Sequence, residues 1–284
     1  MATFYNQATL SYNGIRTQSN TTTGELVDVL TVQKNALRTT YEPGGTVTYV
    51  ISIVNSGTTA LTGVTATDNL GAYAFNTSTL TPLTYAADSV RYYVNGVLQT
   101  APTVVAGPPL VFSGMNIPAG GNAVLVYEAT LNTYAPLNPE ASVVNTVSVT
   151  GDGITTAATD TETVTVSAAP RLTITKALNP VQVMENGRVT YTFTIENTGN
   201  TAAGATDLVA VTDTFTPPLS AISVMFNGTA WTEPTQYTYD AATGAFATVP
   251  GQITVPAATY TQDPTTGVWT GTPGVSVLTV TGTI

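Results

Sequence analysis

Apolar and polar residues alternate along most of this chain, in short runs with a period of two. TVTYVISIV (46–54), RVTYTFTIE (188–196) and TETVTVS (161–167) each send every second side chain to one face, which predicts β-strands. Dipeptides that favour tight hairpins separate such runs: Asn13-Gly14, Asn95-Gly96, Asp152-Gly153 and Asn227-Gly228. No stretch has the periodicity of an amphipathic helix, and no apolar run is long enough to span a membrane. The expected class is all-β.

The pattern also repeats at larger scale. LTVQK (30–34) matches LTITK (172–176), and TVTYVISIVNSGTTA (46–60) matches RVTYTFTIENTGNTA (188–202). VTATD (64–68) matches VAVTD (209–213), VNG (94–96) matches FNG (226–228), and VLVYEATL (124–131) matches VLTVTGTI (277–284). Strands and turns at this spacing predict two tandem Greek-key sandwiches of immunoglobulin type, over residues 30–170 and 171–284. The second carries an insertion around 237–274, where DAATG and DPTTG read as turns between added short strands.

Residues 1–29 belong to neither repeat as a whole, yet they copy part of the first. ATFYNQATLSYNGIRT (2–17) aligns with ASVVNTVSVTGDGITT (141–156) at an offset of 139, with Asn6/Asn145, Gly14/Gly153, Ile15/Ile154 and Thr17/Thr156 identical. After Leu131 the first repeat continues into this closing hairpin; the second has no counterpart after Ile284. The expectation is a donor hairpin at the front and an incomplete acceptor sandwich at the back. Phe4, Ala8, Leu10 and Tyr12 share one face, as Val143, Val147 and Val149 do, and Leu278, Val280 and Ile284 would meet them. The short connection from the hairpin to Leu30 disfavours folding back onto the chain's own second sandwich, so the acceptor is expected on a neighbouring subunit. Donor and acceptor surfaces differ, so such contacts build an open head-to-tail fibre. The competing reading is a disordered N-terminal tail.

Composition narrows the chemistry. The chain has 284 residues with a net charge of −10, which argues against nucleic-acid partners and anionic membrane surfaces. With no Cys and no His, disulfides, thiolate metal sites and Ser-His or Cys-His catalysis are excluded, so an enzyme, a metal centre or a cofactor is not expected. MATFYNQATL lacks a basic region followed by an apolar core, so no signal peptide is visible. Asn20, Asn76 and Asn227 head glycosylation triplets that a Thr-rich chain produces by chance.

In the order of its motifs, LTVxK, GxxVTYxIxxxNxG, VxxxD and VNTVSVTxxG, the chain resembles the domain-of-unknown-function-11 repeats of bacterial surface and stalk proteins. The resemblance covers nearly the whole chain, residues 1–29 matching only the closing hairpin. Two such repeats in 29.3 kDa are also similar to the major proteins of clostridial endospore appendages. That likeness implies a surface fibre, made in the mother cell and assembled on the spore, with an unknown anchor at its base.

The chain's two lysines, Lys34 and Lys176, occupy equivalent positions, in phase with Leu30 and Val32 and with Leu172 and Ile174. Asn145 is in phase with Val143 and Val147, Asn6 with Phe4 and Ala8, Asp68 with Val64 and Ala66, and Asp213 with Val209 and Val211. Each completed sandwich would therefore enclose a Lys, an Asn and an Asp. Burial favours the neutral, nucleophilic amine. Next to a carboxamide polarised by an acid, such an amine can form an amide and release ammonia, which is similar to the self-catalysed isopeptide chemistry of other bacterial surface sandwiches. Lys34 would join Asn145 with Asp68 as acid/base, and Lys176 would join Asn6 of the next subunit with Asp213 assisting. The alternative is a buried Lys–Asp pair hydrogen-bonded to Asn without reaction. Glu128 is out of phase with Leu125 and is a weaker candidate acid.

A second functional class is a monomeric adhesin or carbohydrate-binding module. Tyr92, Tyr93, Trp231, Tyr237, Tyr239, Tyr260 and Trp269 would stack on sugars if exposed, and would pack the core otherwise. Asp152, Asp160 and Glu162 lack the regular spacing of a calcium loop.

Overall fold

The computed structural model describes residues 2–26 and 28–284, and they form strands, turns and one 3-10 turn at Ala205–Asp207. The N-terminal segment is a long two-stranded ribbon of β1 (Ala2–Asn6), β2 (Thr9–Tyr12), β3 (Ile15–Gln18) and β4 (Thr22–Leu26). β2 and β3 pair across Asn13-Gly14, where both residues are left-handed (φ 49° and 78°). β1 and β4 extend the ribbon. Between the pairs Asn6↔Thr22 and Thr9↔Gln18 the return strand holds one extra residue. The bulge therefore falls at Ser19–Thr21, and the outgoing strand keeps its alternation from Phe4 to Tyr12. Phe4, Tyr5, Leu10, Tyr12 and Ile15 are all exposed.

The chain clusters into two compact units. The first comprises residues 1–39, 44–132 and 143–164, the second 40–43, 133–142 and 165–284. Further strands in chain order are β5 (Leu30–Ala36), β6 (Thr40–Tyr41), β7 (Thr46–Asn55), β8 (Leu61–Asp68), β9 (Tyr73–Phe75), β10 (Ser78–Leu80) and β11 (Leu83–Tyr85). They continue as β12 (Arg91–Val94), β13 (Val97–Gln99), β14 (Thr103–Val105), β15 (Leu110–Ile117), β16 (Asn122–Leu131), β17 (Ser142–Thr150) and β18 (Ala158–Val166). One sheet of the first unit runs β13-β12-β16-β7-β5, and the facing sheet runs β14-β15-β8-β17-β18. Tyr49, Ile51, Leu125 and Tyr127 from the first meet Val64, Ala66, Phe112, Val147 and Val149 from the second, all fully buried. The adjacent pairs β7/β16 and β8/β17 interlock as in an immunoglobulin sandwich.

The second unit contains β19 (Leu172–Asn179), β20 (Arg188–Asn197), β21 (Thr212–Thr214), β22 (Ser220–Phe226), β23 (Thr229–Ala230), β24 (Tyr237–Asp240), β25 (Ala245–Thr248), β26 (Thr259–Gln262), β27 (Trp269–Thr272) and β28 (Gly274–Thr283). Its larger sheet, β19-β20-β28-β22-β23, repeats β5-β7-β16-β12-β13 strand for strand. Opposite it, β21-β25-β24 repeats β8-β15-β14 and goes no further. Among the described residues no strand occupies the places of β17 and β18. With nothing on that side, β21 is regular for 3 residues where β8 runs for 8.

Two sequence expectations need correction here. The insertion expected over 237–274 is smaller, because β24 and β25 repeat β14 and β15; the added piece is the β26–β27 hairpin. Leu278 and Val280 were expected on the acceptor surface, but both are fully buried in a core with Phe193, Phe215 and Phe246. Those aromatic rings already fill the interior, so the open surface lies to one side of it. Ile284 is half-buried against the same core.

Candidate cross-linking sites and the open sandwich edge

Strand alternation carries Lys34 inward from β5 behind Leu30, and the facing sheet brings Asp68 from β8 and Asn145 from β17 to meet it. The three are 2%, 0% and 0% exposed. Lys34 Nζ forms a direct ion pair with Asp68 and donates to the Tyr127 hydroxyl at 2.8 Å. Tyr127 in turn donates to Asp68 Oδ2 at 2.6 Å and accepts from Asn145 Nδ2 at 3.3 Å. The other end of the carboxamide, Asn145 Oδ1, accepts the backbone N–H of Gly71 at 3.3 Å. Leu70 N–H donates to Asp68 Oδ1 at 2.9 Å, fixing the carboxylate. The Tyr49 and Tyr127 rings flank the ammonium, 4.5 and 5.3 Å from centroid to Nζ.

Burial shifts the titration of this group. Desolvation lowers the Lys34 pKa below its ordinary 10.5, although Asp68, Glu162 and Asp160 pull the other way. Desolvation, reinforced by Asp68, raises the Tyr127 phenol well above its ordinary 10.0. The site thus gathers a lysine whose pKa burial lowers and a carboxamide around one phenol, with a carboxylate in contact.

Tyr127 was not anticipated from the sequence. It is in phase with Ala123 and Leu125 on β16, which would have marked it as inward-facing. Glu128, the next residue, is exposed as its phase requires.

In the second unit Lys176 and Asp213 again form an ion pair, but their side chains are 41% and 17% exposed. Lys176 Nζ lies over the Tyr191, Phe193 and Phe215 rings at 4.7, 5.4 and 5.5 Å, so it points into the sandwich as Lys34 does. What differs is the missing roof. Ile174, in phase with Lys176, is 52% exposed. A cleft of about 490 Å³ opens over β21, β24 and β25, lined by Asp213, Tyr239 and Phe246 among others. Val181 and Met184 are 82% and 87% exposed, in the loop equivalent to the one carrying Tyr41, which is buried and pairs beside Val166 of β18.

Asn6 is exposed on the ribbon, where its backbone carbonyl accepts from Thr22 Oγ1 at 3.1 Å. Ala8 is exposed as well. The structure thus gathers Lys34, Asp68 and Asn145 at one point, pairs Lys176 with Asp213, and leaves Asn6 on an uncovered strand.

Four of the seven aromatic residues considered for sugar stacking pack inward. Tyr92 and Tyr237 are buried, and Trp231 and Tyr239 lie against the second core. Tyr92 donates to the Asn116 carbonyl, Tyr239 to Leu219 and Tyr260 to Thr198. Tyr93 and Trp269 are half-buried. Asp160 accepts from the Lys34 backbone N–H at 2.6 Å and Asp152 from Thr62 Oγ1 at 3.2 Å. Among the described residues no helix is long and apolar enough to cross a membrane.

No family model and no curated protein matches this sequence. Solved structures with weak similarity include the major pilin subunit of Bacillus cereus, at 10% identity over 96% of this chain and 73% of that one, TM-score 0.38. The pilus backbone of Streptococcus pneumoniae matches at 12% identity over 86% of this chain and 55% of that one, TM-score 0.35. The collagen-binding domain of a Staphylococcus aureus adhesin matches at 13% identity over 50% of this chain and 99% of that one, TM-score 0.31.

Proposed function

We propose that this chain is a structural subunit that polymerises head to tail into a surface fibre. Its N-terminal ribbon completes the second sandwich of a neighbouring copy, and Lys–Asn amide bonds lock each sandwich. The observation that carries this reading is that, among the described residues, no strand of the second unit occupies the places of β17 and β18, while a ribbon that aligns with that hairpin stands uncovered. An isolated two-stranded ribbon gains little in water, and an unpaired strand edge beside apolar surface is an association site. Both defects are removed by one insertion, with backbone ladders supplying affinity and alternate side chains supplying register.

The offset of 139 fixes that register. Asn145 maps to Asn6, Val147 to Ala8 and Val149 to Leu10. In the first unit Val147 pairs with Asp68 and Val149 with Ala66. By the same alignment Ala8 pairs with Asp213 and Leu10 with Val211, which sets Asn6 beside Lys176. Insertion roofs the Lys176 ammonium, removes it from water and favours its neutral form. The amide then forms with the same net change as between Lys34 and Asn145: Nζ bonds to the carboxamide carbon, the carbon–nitrogen bond to Nδ2 breaks, and ammonia leaves. Surface location on a spore, and an anchor at the fibre base, belong to this proposal through the sequence resemblance alone.

Denaturing mass analysis of boiled protein tests it. The expected result is a ladder at integer multiples of the subunit mass, interior units each lighter by two ammonia molecules. Unlinked monomer that also stays monomeric by native sedimentation would overturn the fibre. A native polymer that boils to monomer would overturn only the bond between subunits.

A further inference from the structure

We propose that Tyr127 is a catalytic residue of the first cross-linking site, relaying protons between Lys34, Asp68 and Asn145, while the Gly71 backbone N–H receives the negative charge that develops on the Asn145 oxygen. This rests on the reading that Lys34 and Asn145 form an amide.

The geometry assigns these roles atom by atom. The nitrogen that attacks and the nitrogen that leaves both donate to one oxygen, the Tyr127 hydroxyl, at 2.8 and 3.3 Å. That hydroxyl donates to Asp68 at 2.6 Å. A phenol 0% exposed, touching both reacting nitrogens and the acid/base, is the through-point for protons in a site closed to water. On the other side of the carboxamide, Gly71 N–H is shared between Asn69 Oδ1 at 3.0 Å and Asn145 Oδ1 at 3.3 Å, and the second is the oxygen on which a tetrahedral intermediate carries its charge. The loop is shaped for this: Leu70 and Gly71 are consecutively left-handed, at φ 53° and 71°. A Cβ on residue 71 would stand 2.5 Å from Val143, so glycine is required there.

The reaction balances without another reagent. Lys34 enters as an ammonium and Asp68 as a carboxylate, and a proton passes from the first to the second. The free amine attacks the Asn145 carbonyl carbon, and the oxygen takes the charge toward Gly71 N–H. Tyr127 accepts the surplus proton from Nζ as it gives its own to Nδ2. The bond to Nδ2 breaks, ammonia departs with the proton held by Asp68, and the amide remains.

The second unit lacks both devices. Tyr49 and Tyr191 are equivalent, and their cross-strand neighbours are Tyr127 in the first unit and Val280 in the second. Three residues after Asp213 stands Thr216, followed by Pro217, in the place of Gly71. The relay therefore belongs to the site that closes within one chain.

The test follows intact mass with time after cell-free synthesis, in a Lys176→Arg background so that one ammonia at most is lost. The parent is expected to lose it, and Tyr127→Phe to lose it at least about 100-fold more slowly, the lower range for a positioned acid–base group. Equal rates in a Tyr127→Phe variant with a native circular dichroism spectrum overturn the relay and leave the amide standing. No loss in the parent overturns the amide itself. Should Tyr127→Phe fail to fold, rates of the parent in mixtures of light and heavy water decide. A curved dependence, from more than one proton in flight, supports the relay, and a linear one overturns it.

Discussion

β5 and β19 are the same strand in two settings. LTVQK and LTITK carry a lysine in phase with two apolar residues, and each pairs along its full length with a matching neighbour, β7 or β20. Yet Lys34 is 2% exposed and ion-paired in a closed box, while the Lys176 side chain is 41% exposed. Leu30 is buried, whereas Leu172 is only half-buried. Sequence sets the direction of these side chains, and the facing strands set their environment. Where β17 and β18 supply a roof, an ammonium is desolvated and its pKa falls. Where they are absent, the same ammonium keeps its access to water.

The comparison is broken most completely by removing the roof donor. Deleting residues 2–26 is expected to abolish every multiple in the boiled ladder and to leave the first unit's loss of one ammonia intact, both read from one mass spectrum. Matched substitutions of the carboxylates come next. Asp68→Asn should stop ammonia loss in the first unit and leave Lys34 buried without its counter-charge, at a cost of about 3–5 kcal/mol in denaturant unfolding. Asp213→Asn in the free subunit should cost under about 1 kcal/mol, because Lys176 reaches water.

Asn6→Ala sharpens the contrast between insertion and bonding. Fibres should still assemble, since Phe4, Leu10 and the strand ladders remain, but boiling should return them to monomers.

The smallest effect is a pH dependence confined to the closed site. In an Asn145→Ala variant, which cannot cross-link, Lys34 keeps a folded pKa below its unfolded 10.5. The unfolded chain then binds more protons in that window, so stability rises with pH from the folded value toward about 10. Above its ordinary 10.0 Tyr127 opposes the trend, because its folded pKa is raised and the folded state holds the extra proton. Asp68, Glu162 and Asp160 face Lys34 and raise its pKa against the larger effect of desolvation. Urea titrations from pH 7 to 10 check the sign.

The repeat was the most legible part of this chain, because period-two alternation survives substitution. Lys34, Asp68 and Asn145 could be brought together from phase alone. Tyr127 is legible in its phase with Ala123 and Leu125, but the equivalent place in the second repeat holds Val280, so the repeat does not mark it as it marks the lysines and aspartates. Gly71 could not have been read at all, since its role depends on the conformation of a loop rather than on a side chain. Leu278 and Val280 were misplaced because phase reports which side of a sheet a residue takes, not what already covers it. The β24–β25 pair reads as an insertion in the sequence because loop lengths differ, while the order β21-β25-β24 is preserved.

Lys34 lies on the first strand of its sandwich and Asn145 on the strand before the last. An amide between them gives tension applied to the chain a covalent shortcut. With the proposed amide in place, load entering through β5 would pass to β17 without shearing the β5–β7 or β8–β17 ladders. Force would then be borne by peptide and amide bonds, and a stretched subunit would keep its shape until one of those broke.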